Sequence, residues 1–237
     1  MGSVAPSFQL VSDVPCGGVL LALPALLACG LLNNINDHFK LPKGYYGLES
    51  IFLLLALMAL ARIKSIEHLR YCAPGEWGKL LGLDRIPEAR TLREKVKYLS
   101  QNSQVETWGA ELCNSWMQAS QEFFTAYVDG HVRVYNGSQT KLPRHYVTRE
   151  KLCLRATVDY WVNAMDGQPF FYINKAVDPG LINVMEHEIV PRIEQELAPI
   201  DPDKLIANPL VHKFTLIFDR EGYTHLCPNN LKSDKIR

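Results

Sequence analysis

Two stretches decide how this chain is read: Phe123-Phe124-Thr125-Ala126-Tyr127-Val128-Asp129 and Phe214-Thr215-Leu216-Ile217-Phe218-Asp219. Each is an apolar, aromatic run of strand length that ends in one carboxylate, with Gly130 or Gly222 close behind. So little polar alternation suits strands buried on both faces, in the middle of a sheet covered by helices. In open α/β sheets ligand chemistry gathers at strand ends. If the two strands are parallel neighbours, Asp129 and Asp219 lie side by side, and two adjacent carboxylates ionise together only with a cation between them. That pattern points to a metal site.

Each aspartate has a plainer reading. Asp129-Gly130 between apolar runs is equally a two-residue hairpin signal, as Asp166-Gly167 is, and Asp219-Arg220-Glu221-Gly222 equally caps a helix or closes a turn. The combination favours the shared site, because the elements between the runs make them neighbours. His131-Val132-Arg133-Val134-Tyr135 alternates as a strand, Lys151 to Met165 is a long strand, and Pro169 to Val177 is its return. Asp178 caps a helix with Pro179 in its first turn, running to Leu197 and bending near Pro191. The order is a three-strand meander, then a helical crossover to a parallel strand, which opens a ribonuclease H-like fold.

Upstream the chain reads as helical, so the whole is α+β or α/β. Residues 1–15 form a flexible lead-in, 16–100 a helical domain, 101–122 a connecting helix, 123–223 the partial ribonuclease H-like domain and 224–237 a divergent tail. A helix is expected over Leu20 to Leu32 and a second over Leu48 to Tyr71, as an antiparallel hairpin. Pro74 to Arg93 has the grammar of a helix-turn-helix: Trp77, Leu80 and Leu81 on a short helix, Gly82 in the turn, and Pro87 opening the next helix. On that helix Ala89, Leu92, Val96 and Leu99 share one face, while Arg90, Arg93 and Lys97 fall on another. From Arg62 to Lys97 nine basic residues face five acidic ones, an excess concealed by the whole-chain balance of 25 basic and 25 acidic residues. Such a face meets DNA phosphates, or else is an ordinary solvated face. Trp108, Leu112 and Trp116 recur at helical spacing and are expected to dock on the sheet domain.

Other function classes find less support. Six cysteines lie far apart with no CxxC pair, which fits reduced, buried thiols of a cytoplasmic protein. The apolar runs Val19 to Leu32 and Ile51 to Ala61 fall short of the ~18–20 residues of a spanning helix. No Lys or Arg precedes Lys40 to make a signal-peptide n-region. Glu186-His187-Glu188 lacks the second histidine of a zinc protease helix, and solvent-facing residues are the simpler account. His131 and Arg133 read as exposed strand residues, with phosphate contact as the alternative.

The runs Leu41-Pro42-Lys43-Gly44-Tyr45-Tyr46-Gly47-Leu48, Ala59-Leu60-Ala61-Arg62-Ile63-Lys64-Ser65-Ile66-Glu67, Tyr127-Val128-Asp129-Gly130-His131 and Phe218-Asp219-Arg220-Glu221-Gly222-Tyr223 resemble bacterial insertion-sequence transposases of the Asp-Asp-Glu type. The likeness covers roughly Pro15 to Tyr223. It implies that Asp129 and Asp219 are the first two catalytic carboxylates and ligands of Mg²⁺ or Mn²⁺, in a two-metal reaction at phosphorus. It further implies that Arg90, Arg93 and Lys97 meet the double-stranded DNA of the element ends, and it allows a homo-oligomer with no membrane partner. The family pattern also requires a glutamate well downstream, on a helix. After Asp219 the only acids are Glu221, too close in sequence, and Asp234; from Thr224 the likeness stops. The expectation is therefore a truncated transposase lacking its third catalytic carboxylate and weakly active or inactive. The alternatives are a non-catalytic DNA-binding or regulatory protein and a small membrane protein built on the two apolar runs.

Overall fold

The computed structural model describes residues 14, 16–118, 125–138, 140–165, 167–197 and 214–218. They form two compact units, Met1–Trp108 and Gly109–Arg237. The first is helical and the second is built on a mixed sheet.

In the helical unit a 3₁₀ turn, Gly17–Ala22, leads into α1 (Leu23–Ala28), followed by α2 (Ile35–His38), α3 (Leu48–Leu60), a second 3₁₀ segment Ile66–Tyr71, α4 (Pro74–Leu80) and α5 (Ala89–Asn102). The helix expected over Leu20 to Leu32 is thus broken, and neither Gly17–Ala22 nor α1 holds a fully buried residue. Leu21 and Leu27 are exposed. The second expected helix ends at Leu60 rather than Tyr71, because Arg62 takes a left-handed conformation (φ 56) that no α-helix continues through. No helix among the described residues is long and apolar enough to cross a membrane.

α3 is the centre of the unit: Ile51, Leu54 and Leu57 are buried, with Leu69, Trp77 and Leu92 in the same core. Phe39, Phe52 and Trp108 close one side as mutually edge-on rings 4.8–5.5 Å apart. The Trp108 indole N–H donates to the Asn33 carbonyl at 2.8 Å. Trp108 therefore packs in the helical unit and not on the sheet, as its spacing with Trp116 had suggested. α6 (Val105–Gln118) crosses the division between units: Cys113 is buried in the sheet unit's core and Trp116 packs against that core.

β1 (Thr125–Val134) runs antiparallel to β3 (Leu152–Ala164) and parallel to β5 (Thr215–Phe218). β3 also pairs antiparallel with β2 (Arg144–Val147) through residues 152–155 and with β4 (Pro169–Lys175) through residues 158–163. The strand order is β2-β3-β1-β5, with β4 on β3. The two strands read around Asp129-Gly130 are one, so that dipeptide is neither a turn nor a strand end. β2 is an additional short strand, making the antiparallel part four strands rather than three.

After β4 the crossover helix α7 begins at Leu181–Val184, with Gly180 (φ 87) as its N-cap, two residues later than Asp178. Asp178 instead accepts the Gly180 N–H at 2.8 Å and the Tyr160 hydroxyl. α7 continues through π-helical Met185–Ile189, Val190–Arg192 and π-helical Ile193–Leu197. Pro191 sits between the two π-helical stretches, whose wider winding accommodates a ring that would clash with the carbonyl four residues earlier. Val184, Met185, Ile189 and Ile193 bury against Ala126, Val128, Val158, Tyr160 and Val162 of the sheet.

Gly78 offers a test of the close turn after α4. In an open helix Gly→Ala gains about 1 kcal/mol. Here a Cβ would stand 2.6 Å from the Leu83 carbonyl oxygen and 2.7 Å from the Arg85 backbone, neither of which can rotate away. Gly78→Ala is expected to destabilise the unit by ~1–3 kcal/mol in urea denaturation; a gain in stability would refute this packing.

Candidate functional site

Along β1 the side chains alternate. Ala126 and Val128 are buried against α7, while Tyr127, Asp129, His131 and Arg133 are exposed on the other face. The expectation of a strand buried on both faces fails there. Asp129 therefore sits in mid-strand on the uncovered face, opposite Trp161 of β3. Among the described residues its carboxylate has no hydrogen bond or ion pair.

Asp219 lies outside the described residues. β5 reaches Phe218, whose register partner on β1 is Val128; these are the residues that immediately precede Asp219 and Asp129 in the chain. One step earlier, Ile217 pairs with Tyr127, and both are exposed. Among the described residues no three of His, Cys, Asp and Glu assemble in a metal-binding arrangement. The donor that is described fits a hard cation: an unpaired, solvent-facing carboxylate supplies the oxygen ligand that Mg²⁺ and Mn²⁺ prefer.

The helix carrying Glu186, His187 and Glu188 covers the opposite face of the sheet, so none of the three is brought to Asp129. Glu188 pairs with Lys175 at 2.7 Å, and His187 Nδ1 lies 3.0 Å from the Asn183 carbonyl. One Glu186 carboxylate oxygen is buried without a hydrogen-bond partner.

Sequence reading passed over the most buried charge in the sheet. Asp159, on the same face as Asp129, is 1% exposed. Its Oδ2 lies 2.8 Å from an Arg133 guanidinium nitrogen, and its Oδ1 accepts a hydrogen bond from the Asn174 amide, its register partner on β4. Beside it Trp161 stacks on Tyr172, with ring centroids 5.0 Å apart and 25° between planes. A signal was present: in Ala156 to Asn163, Ala156, Val158, Tyr160 and Val162 alternate with Thr157, Asp159, Trp161 and Asn163. The five cysteines among the described residues are in no disulfide, and Cys16, Cys29 and Cys153 are exposed rather than buried.

In the helical unit α5 begins at Ala89 with Glu88 as its N-cap, so Pro87 precedes the helix instead of opening it. Between α4 and α5, Gly82 (φ 65) makes the turn and the Ile86 N–H returns to the Pro74 carbonyl at 3.0 Å. Leu92 and Leu99 face inward; Arg90, Arg93 and Lys97 face out. Much of that positive face is already engaged. Arg90 pairs with Glu94 at 3.1 Å, and Glu67 takes both Arg93 and Arg70, the latter at 2.8 Å. The hydrogen bonds from Arg93 and then Arg70 hold the Glu67 carboxyl below its usual pKa. The Lys97 ammonium has no partner among the described residues.

A family described as "Transposase protein" matches residues 1–236, and the chain belongs to that family. No curated protein matches it in sequence. Among solved structures it is similar to a pre-cleavage Mos1 transpososome at 11% identity and a TM-score of 0.30, over 84% of this chain and 60% of that one. A Mos1 transposase paired-end complex with left transposon end is similar at 10% identity and a TM-score of 0.28, with the same coverage. The chain thus spans about 60% of the length of the chains in those structures.

Asp129 is the acid on this face that folding does not use. Asp129→Asn is expected to leave unfolding stability within ~0.5 kcal/mol of wild type, as for any surface residue without partners. A larger loss in thermal or urea denaturation would assign it a structural role.

Proposed function

We propose that this chain is a transposase of the Asp-Asp-Glu type whose sheet unit is ribonuclease H-like, with Asp129 and Asp219 as its catalytic carboxylates. The observation that carries the reading is the parallel register of β1 and β5, which pairs Val128 with Phe218. Side chains alternate along a strand, so Asp129 belongs to the face that carries Tyr127 and Ile217, and Asp219 would join it on a β5 continued by one residue. Asp129 and Asp219 would there hold Mg²⁺ or Mn²⁺. Such an ion, when bound, activates the attacking oxygen and stabilises the leaving one in an in-line displacement at phosphorus. The protein's own part is to hold the two carboxylates on rigid, paired strands and to keep the face open to a phosphodiester.

DNA is the proposed partner. α4, the Gly82 turn and α5 would act as a helix-turn-helix, with Arg90, Arg93 and Lys97 against the phosphates of element-end duplex. No third catalytic carboxylate is assigned within these 237 residues. Glu188 is committed to Lys175, and Glu186 lies on the covered side of the sheet. A second reading, DNA binding without cleavage, is favoured by the absence, among the described residues, of any group of three His, Cys, Asp or Glu side chains that could hold a metal ion.

Calorimetric titration with Mn²⁺ tests the site. The wild-type chain is expected to bind, and Asp129→Ala and Asp219→Ala each to weaken binding by about tenfold or more, since each removes one of two protein oxygen ligands. Equal affinity in either variant would sink the shared site. The basic face has its own test, because Glu67 competes with phosphate for Arg93 and Arg70. Glu67→Gln is expected to tighten random-sequence duplex binding at low salt and to steepen its salt dependence by ~1 in the log–log slope. Unchanged binding would place DNA elsewhere.

A further inference from the structure

The alternation that exposes Asp129 also aligns His131 and Arg133 on β1 with Asp159 and Thr157 on β3. The Asp159 carboxylate is almost wholly buried, whereas the Arg133 side chain is 62% exposed. Asp159 is thus a fixed anchor and Arg133 the part that faces solvent. A guanidinium presents five N–H donors in a rigid fork. Among the described residues the contact with Asp159 is the only polar one Arg133 makes, so most of that fork has no protein acceptor.

We propose that Arg133 binds a backbone phosphate of the DNA strand that reaches Asp129, and that Asp159 is its positioning residue. The proposal rests on the metal-site reading for the identity of the strand and goes beyond it by stating where the backbone runs. Arg133 lies four residues beyond Asp129 on the same face, and its guanidinium leans back to Asp159, the register partner of His131, so that it stands about two residues, ~7 Å along the strand, from Asp129. Its phosphate is therefore not the reacting one but lies further along the same chain. Two features make nucleic acid the occupant. The free donors match phosphate oxygens in geometry as well as charge. Directly across from Asp129, Trp161 stacks on Tyr172, which is half exposed, and an aromatic surface beside a phosphate contact is how unpaired bases are held.

The plainer account is that Arg133 exists only to neutralise a buried carboxylate. Fluorescence anisotropy with a labelled, random-sequence single-stranded oligonucleotide, in chelator, separates the two. Arg133→Gln is expected to weaken binding by about three- to tenfold. Because that variant strands the Asp159 charge, the deciding protein is Arg133→Gln combined with Asp159→Asn, which removes both charges and any folding defect that follows from one alone. On the proposal the double variant melts close to wild type yet still binds weakly. Wild-type binding by the double variant would overturn it.

Asp159→Asn alone keeps the cation and loses its anchor. Its binding should hold at low salt and fall faster than wild type as salt rises; a wild-type salt profile would remove Asp159 from the positioning role. These measurements contain no metal, so they can fail while Asp129-dependent Mn²⁺ binding succeeds, or the reverse.

Discussion

The two-residue period of β1 is the constraint from which the rest of the sheet unit follows. With Ala126 and Val128 committed to the apolar layer under α7, every odd-numbered side chain of the strand must stand on the opposite face. A slip of one residue would put Asp129, His131 and Arg133 against Val184, Met185 and Ile189, burying charges without partners. The register is therefore fixed strongly by burial. β3 obeys the same rule from the other side, with Val158, Tyr160 and Val162 inward and Asp159 and Trp161 outward.

How much of this could be read beforehand differs between the two units. The order of long strand, return strand, crossover helix and final strand was legible because hydrophobic runs and turn residues coincide there, as at Gly167 (φ 88). The mid-strand position of Asp129 was not legible. Asp-Gly is a common turn signal, yet Gly130 here extends the strand and lies over the Tyr160 ring, 3.4 Å from where its Cβ would be. Tertiary packing overrode the local signal. Asp159 was hidden for a similar reason, since a carboxylate within an apolar strand is a feature of the site only once Arg133 and Asn174 are known to meet it. In the helical unit the amphipathic pattern of α5 gave its faces, but the cancelling of Arg93 by Glu67 joins residues far apart in sequence and leaves no local trace.

The same cancelling limits what net charge can say about this protein. A count of basic residues from Arg62 to Lys97 suggests a uniformly positive surface, but Arg70, Arg90 and Arg93 are each within ion-pair distance of a glutamate. Exposed pairs of this kind are weak and exchange with solvent ions. The face is thus one whose potential is held down in the free protein and can be released by a competing anion. Affinity for the proposed DNA would there depend on ionic strength twice, through phosphate contacts and through the pairs they replace.

The open face of the sheet carries two acids in unlike circumstances, and the contrast is informative. Asp159 is buried, and a buried carboxylate is tolerated only when its charge is compensated: Oδ1 accepts a hydrogen bond from Asn174, while Oδ2 has the Arg133 guanidinium at ion-pair distance but no hydrogen bond among the described residues. Its presence is explained by the fold, or by what the fold displays through Arg133. Asp129 is met by nothing among the described residues and stands between the exposed side chains of Tyr127 and His131, in the middle of a strand where apolar or β-branched residues pack better. Strand propensity argues against an aspartate at that point, and no local contact compensates for it. A residue that the described fold neither needs nor prefers, held in place by pairing with Trp161 on β3, is one whose reason lies outside the described residues. On the proposed reading that reason would be a divalent cation, for which an unpaired carboxylate is a fitting oxygen ligand.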